Sequence, residues 1–168
     1  RYSDISVFSF HPVKMICTGE GGAVTTNDLS LLNKVKLFSL NGITKDSEQF
    51  IRPENEAPWY CELQDCGQNY RFNEIQSALG VSQLKKLDFF IRKRNEVVEL
   101  YLELLSDIEE IEMPLVAIDG VTSSYHLFPL LIDFDKLELD KKEVMLELRA
   151  SKIGTQVHYL PLSNHPYY

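Results

Sequence analysis

At 168 residues, with 44% hydrophobic and 25% charged side chains, the chain has an ordinary globular composition and can bury one core or two small ones. Its net charge of -8 disfavours nucleic acid or an anionic membrane as main partner, because both select basic surfaces. No apolar run reaches membrane-spanning length, no secretory leader is read, and three cysteines without a CxxC spacing point to a reducing cytoplasm rather than a disulfide framework or a zinc site.

Ile5 to Phe10 is apolar on both faces, which predicts a strand buried within a sheet. A second short strand is predicted at Ala23 to Thr26, entered from Gly21-Gly22. Asn27 or Asp28 then caps a helix to about Ser39, with Leu31, Val35 and Phe38 on one face and Asn41-Gly42 as its stop. Residues 44–68 carry charges, two prolines and the only tryptophan, and predict a long irregular loop.

Asn73 with Gln76 forms a capping box for a helix whose inner face is read at Ile75 and Leu79. After a break near Leu87-Asp88, the spacing of Leu87, Ile91, Val98, Tyr101 and Leu105 predicts a second, longer helix. A strand is predicted from Tyr125 to Ile132. Asp140 and Glu143 form another capping box, for a helix to about Lys152 that Gly154 ends. Thr155 to Leu160 is read as a final strand, so the class is α/β. Arg1 enters a strand almost at once and Pro166-Tyr167-Tyr168 follows no closing element, which predicts an internal piece of a longer protein.

The chemistry concentrates at Ser9-Phe10-His11-Pro12-Val13-Lys14, followed by Gly19-Glu20-Gly21-Gly22. Lys14 follows a predicted strand, where loops of α/β sheets carry ligands. A lysine so placed, partly desolvated or near other cations, can act as a free amine in carbonyl chemistry. The bland alternatives are a solvated surface charge for Lys14 and a simple turn for the glycines.

Together with Gly67-Gln68-Asn69-Tyr70-Arg71, Asn73 to Gly80, Gln83 to Asp88 and Gly154 to Leu162, these stretches resemble the DegT/DnrJ/EryC1/StrS aminotransferases, in the family's order along essentially the whole chain. The resemblance implies the second half of a fold-type I transferase dependent on pyridoxal 5'-phosphate. Residues 1–87 would finish the large cofactor domain and 88–168 would begin the small C-terminal domain, apparently truncated.

By the same resemblance, Lys14 is the Schiff-base lysine, Ser9 contacts cofactor phosphate or substrate, and Asn69 reaches the cofactor phosphate of the other subunit in a homodimer. Gln156, Val157, His158 and Tyr159 line the nucleotide-sugar site. Strand alternation sends Gln156 and His158 to one face and Val157 and Tyr159 to the other. Arg71 is assigned to an anionic substrate group, against a structural ion pair as the plainer reading. His11 has no assigned role. No metal is expected. Pro58-Trp59-Tyr60 and Gln156 to Tyr159 most resemble the branch of the pseudaminic acid pathway, implying glutamate as amino donor and a UDP-linked 4-keto sugar as acceptor. A dTDP-sugar, or a cofactor-free domain that binds a partner, are the alternatives. Lys14 argues against the family's dehydratases, which carry histidine there. The aspartate for the pyridine nitrogen, the ring-stacking aromatic residue and most of the phosphate cup would lie upstream of Arg1.

Overall fold

The computed structural model describes residues 3–113 and 118–168. They form two compact units: one runs to Glu96 and takes back Ser123–His126, the other comprises Val97–Thr122 and Leu127–Tyr168.

The first unit opens with strand β1 (Ser6–Ser9), paired antiparallel with β2 (Gly22–Thr25) so that Ser6 faces Thr25 and Ser9 faces Gly22. Helix α1 (Leu29–Ser39) follows. Asp28, not Asn27, is its cap: the carboxylate accepts from the amides of Ser30 and Leu31 and satisfies donors that the first turn leaves open. Asn41 and Gly42 take left-handed conformations and end the helix, as expected.

Residues 44–68 are better organised than their composition suggested. Strand β3 (Ile43–Thr44) pairs with β4 (Glu62–Leu63), and two single 3-10 turns, Ser47–Gln49 and Pro53–Asn55, lie between them. The order comes from Glu62, which is only 7% exposed. Its carboxylate accepts from the backbone amides of Ile51 and Arg52, both at 2.7 Å, from the Tyr60 hydroxyl at 3.1 Å and from the Gln64 amide at 2.8 Å. Desolvation works to raise its pKa. The bonds from Gln64, Ile51, Arg52 and Tyr60 outweigh it and bring the carboxyl down to about 2.

Helix α2 (Glu74–Leu84) starts at the expected capping box: Asn73 accepts from the Gln76 amide while the Gln76 side chain accepts from the Asn73 amide. Its covered side is not the predicted one. Ile75 is 81% exposed and Leu79 is also exposed, whereas Gln76, Ser77, Gly80 and Gln83 are partly covered. Small and polar residues face inward because the β1–β2 loop approaches closely there. Helix α3 (Leu87–Leu105) begins after a turn at Lys85 and Lys86, and passes from one unit into the other. Val98, at its middle, is the one buried apolar side chain among the described residues.

In the second unit, Tyr101 of α3 stacks on Phe128 with ring centroids 4.9 Å apart. Strand β5 (Ile111–Glu112) pairs with β6 (Leu131–Ile132). The predicted strand from Tyr125 thus shrinks to its last two residues, which alone meet a ladder partner. Helix α4 (Phe134–Leu137) and helix α5 (Lys141–Ala150) complete the regular elements, and α5 opens at the Asp140–Glu143 capping box as read. Gly154 is not its stop. Lys152 takes the left-handed position, with φ 64°, and the Ile153 amide returns to the Leu148 carbonyl at 2.8 Å.

Two strand expectations fail. Val7 and Phe8 are 76% and 50% exposed, and among the described residues β2 is the one strand paired with β1. Thr155 to Leu160 form no ladder because no described strand pairs with them. No helix among the described residues is long and apolar enough to cross a membrane.

Candidate active site

Lys14 lies in the long connection between β1 and β2, in a turn closed by its own amide donating to the His11 carbonyl at 2.9 Å. The connection is pinned at its base. The Phe10 amide donates to the Gly21 carbonyl at 2.8 Å, and the Thr18 amide donates to the Phe10 carbonyl at 3.0 Å. Thr18 is buried, and its hydroxyl donates to the Glu20 carbonyl at 2.9 Å. Helix α2 holds the same carbonyl from outside, through the Gln76 amide at 2.9 Å. Phe10 stacks on Phe72 with centroids 6.2 Å apart. Gly21 sits at φ 149° under Phe72, where a Cβ would strike the ring. The sequence reading missed this support of Thr18, Gly21, Phe72 and Gln76. It is built from long-range contacts, among them the Phe10–Phe72 stack and the bond between Gln76 and Glu20, 56 positions apart.

Within this support Lys14 is half-buried, and no described residue forms an ion pair or hydrogen bond with its Nζ. Ser9 ends β1 and is exposed, and its oxygen accepts weakly from the His11 amide at 3.4 Å. The hydroxyl proton therefore stays available to an external oxygen.

Asn69 and Arg71 come together. Asn69 forms an antiparallel bridge with Leu40, flanked by the Asn41 amide donating to the Gln68 carbonyl and the Tyr70 amide donating to the Ser39 carbonyl, both at 3.0 Å. Arg71 Nε donates to Asn69 Oδ1 at 2.8 Å. The ion pair considered for Arg71 is thus replaced, among the described residues, by an amide contact made through Nε, and its Nη donors take no part in that contact. Arg71 precedes Phe72, and Phe10 follows Ser9, so the Phe10–Phe72 stack ties the two groups of candidate residues to one support.

Gln156, Val157, His158 and Tyr159 lie in the second unit, all exposed and without regular structure. The expected alternation fails at its end, because the rings of His158 and Tyr159 stack on each other with centroids 4.5 Å apart. Just before them, Gly154 and Thr155 border an open groove of about 550 Å³ with Lys141, Lys142, Met145 and Arg149. Cys17, Cys61 and Cys66 carry free thiols.

The profile of the DegT/DnrJ/EryC1/StrS aminotransferase family matches residues 1–168, and the chain belongs to this family. It is 41% identical over 163 residues to the UDP-4-amino-4,6-dideoxy-N-acetyl-beta-L-altrosamine transaminase of Helicobacter pylori, covering 97% of this chain and 40% of that protein. It is 38% identical over 165 residues to the uncharacterized protein MJ1066 of Methanocaldococcus jannaschii, covering 98% of this chain and 42% of that protein. Among solved structures it superposes on Helicobacter pylori PseC, described as an aminotransferase involved in the biosynthesis of pseudoaminic acid, with a TM-score of 0.83 at 38% identity. That superposition covers 99% of this chain and 42% of the other. The chain therefore spans about two fifths of the length of these relatives. Its α/β fold is the matching part of a fold-type I aminotransferase, as the sequence predicted.

Proposed function

We propose that this chain is the lysine-bearing part of a pyridoxal-phosphate-dependent aminotransferase. The enzyme moves an amino group from glutamate to a nucleotide-linked 4-keto-6-deoxy sugar, with a UDP-sugar favoured, in the cytoplasm, for surface glycan or flagellin sugars. The observation that carries the reading is Lys14 itself: a half-buried amine with no partner among the described residues, on a connection pinned at both ends. An amine held so is the donor that a cofactor aldehyde requires.

The other residues fit the same group. Lys14 Nζ would hold the cofactor and would be the group that moves the proton during transamination. The Ser9 hydroxyl and Asn69 Nδ2 are donors suited to phosphate oxygens. Asn69 serves the neighbouring subunit, which makes the active form a homodimer. Arg71, Gln156, Val157, His158 and Tyr159 bind the substrate. Residues to about Leu87 belong to the cofactor domain and 88–168 to the small domain. When bound, pyridoxal phosphate supplies the electron sink for transamination.

The test uses the complete gene product. After incubation with pyridoxal phosphate and reduction by borohydride, the pyridoxyl label is expected on the Lys14 peptide and lost in Lys14→Ala. Label confined to other lysines overturns the reading. Amination of UDP- and dTDP-linked keto-sugars by glutamate then separates the two nucleotides, and turnover of neither removes the proposed substrate class.

A further inference from the structure

We infer that the His11 side chain is the positioning group for Lys14: it clamps the turn that carries the amine, and Glu20 orients its ring. The inference rests on the cofactor reading above and gives a role to a residue which that reading leaves without one.

Three contacts meet at His11. The Val13 amide donates to Nδ1 at 3.3 Å, the Lys14 amide donates to the His11 carbonyl at 2.9 Å, and Nε2 lies 3.9 Å from Glu20 Oε1. Pro12 between them has no N–H and a fixed φ, so Val13 and Lys14 supply the first two donors after His11. Both go to His11. A side chain that accepts from the amide two positions on is the device of Asx turns, here made with an imidazole nitrogen.

An accepting Nδ1 puts the proton of the neutral ring on Nε2. At 3.9 Å the Glu20 carboxylate is beyond hydrogen-bond length, and it faces Nε2, the nitrogen opposite the accepting Nδ1. The backbone of Glu20 is anchored, because its carbonyl takes both the Thr18 hydroxyl and the Gln76 amide at 2.9 Å, while its carboxylate stays exposed. Gln76 is the third residue of α2 and half of its capping box. A continuous set of contacts thus runs from the start of α2 through Glu20 and His11 to the backbone of Lys14.

The test again uses the complete gene product, with amide exchange of the 11–20 peptide and borohydride trapping at limiting pyridoxal phosphate. His11→Ala should speed exchange and reduce the label on Lys14 about five- to tenfold, the effect of losing one hydrogen bond. His11→Asn, whose Oδ1 can take the place of Nδ1, should restore both to within about twofold of the parent. If His11→Ala does not fold, His11→Phe keeps ring bulk without an acceptor and should show the same loss. Equal labelling of the parent and the variant without an acceptor overturns the inference while leaving the cofactor reading intact. An Asn variant as defective as Ala also overturns it, because the ring and not the clamp would then matter. A parent protein without label on Lys14 overturns both readings together. Glu20→Gln should speed exchange at Val13 and Lys14, and unchanged exchange there overturns the orienting role of Glu20.

Discussion

Arg71 Nε donates to Asn69 Oδ1 at 2.8 Å, so two residues predicted to serve different ligands act as one unit. The bond fixes the amide: its oxygen is occupied and its Nδ2 donor is left for an external acceptor, which the proposed function takes to be the cofactor phosphate. In the complete gene product, Asn69→Ala should weaken pyridoxal phosphate binding about tenfold. Asn69→Asp, which keeps the Arg71 contact but presents a carboxylate, should weaken it more. Combined with Arg71→Ala, the loss from Asn69→Ala should be smaller than the two single losses added, because the residues share an interaction. Titration of cofactor absorbance measures all of these, and strictly additive losses would show that the two side chains work independently.

Asn73 and Asp140 cap α2 and α5 through reciprocal bonds with Gln76 and Glu143. Replacing either cap by alanine should cost about 1 kcal/mol, read from urea unfolding at neutral pH. Unfolding midpoints equal to the parent's would show that these helix starts are held by packing instead. Both boxes were legible in the sequence because the interaction spans three residues. The same holds for the stop at Asn41-Gly42 and for the apolar period from Leu87 to Leu105.

What the sequence did not disclose is non-local. Ile75 and Leu79 suggested the inner face of α2, but Gln76 and Gly80 are turned toward the Lys14 connection by contacts with Glu20 and Thr18. Residues 155–160 have strand composition but meet no ladder partner among the described residues. Glu62 carries no pattern at all, because two of its four partners are backbone amides, which any residue supplies. Ser9, Lys14 and Asn69 were singled out by their resemblance to the family's motifs, and Arg71 by the chemistry of its guanidinium. Their common support is the stack of Phe10 on Phe72, a contact between residues far apart along the chain that leaves no local pattern.

Glu62 gives a signed pH dependence. Its carboxyl has a pKa of about 2 in the folded state against an ordinary 4.5. The folded state therefore binds the proton less readily than the unfolded state, and the stabilising contribution is complete above pH 4.5. It declines as the pH falls from there and is gone below about 2. Glu62→Gln should lower the melting temperature at neutral pH and flatten the decline between pH 4.5 and 2. A Gln variant with the parent's full acid sensitivity would place the titrating group elsewhere. Amide exchange at Ile51 and Arg52 should rise in the variant, because those two N–H groups lose a charged acceptor.

Gly21 tests whether the support beneath Lys14 is as tight as the geometry implies. At φ 149° a side chain is strained, and a Cβ there would strike the Phe72 ring and lie 2.8 Å from the Thr18 hydroxyl. Moving Phe72 would disturb its stack on Phe10, whose amide is bonded to the Gly21 carbonyl. Gly21→Ala should therefore destabilise the protein by about 3 kcal/mol, joining backbone strain to a packing clash. Gly19 is the control. It is also left-handed, with φ 83°, but no atom lies within 4 Å of its would-be Cβ. Gly19→Ala should carry only the backbone term, about 1 kcal/mol. Urea unfolding of the two variants separates the causes: equal losses would mean that Phe72 yields freely, and that Lys14 rests on a softer base than the contacts indicate.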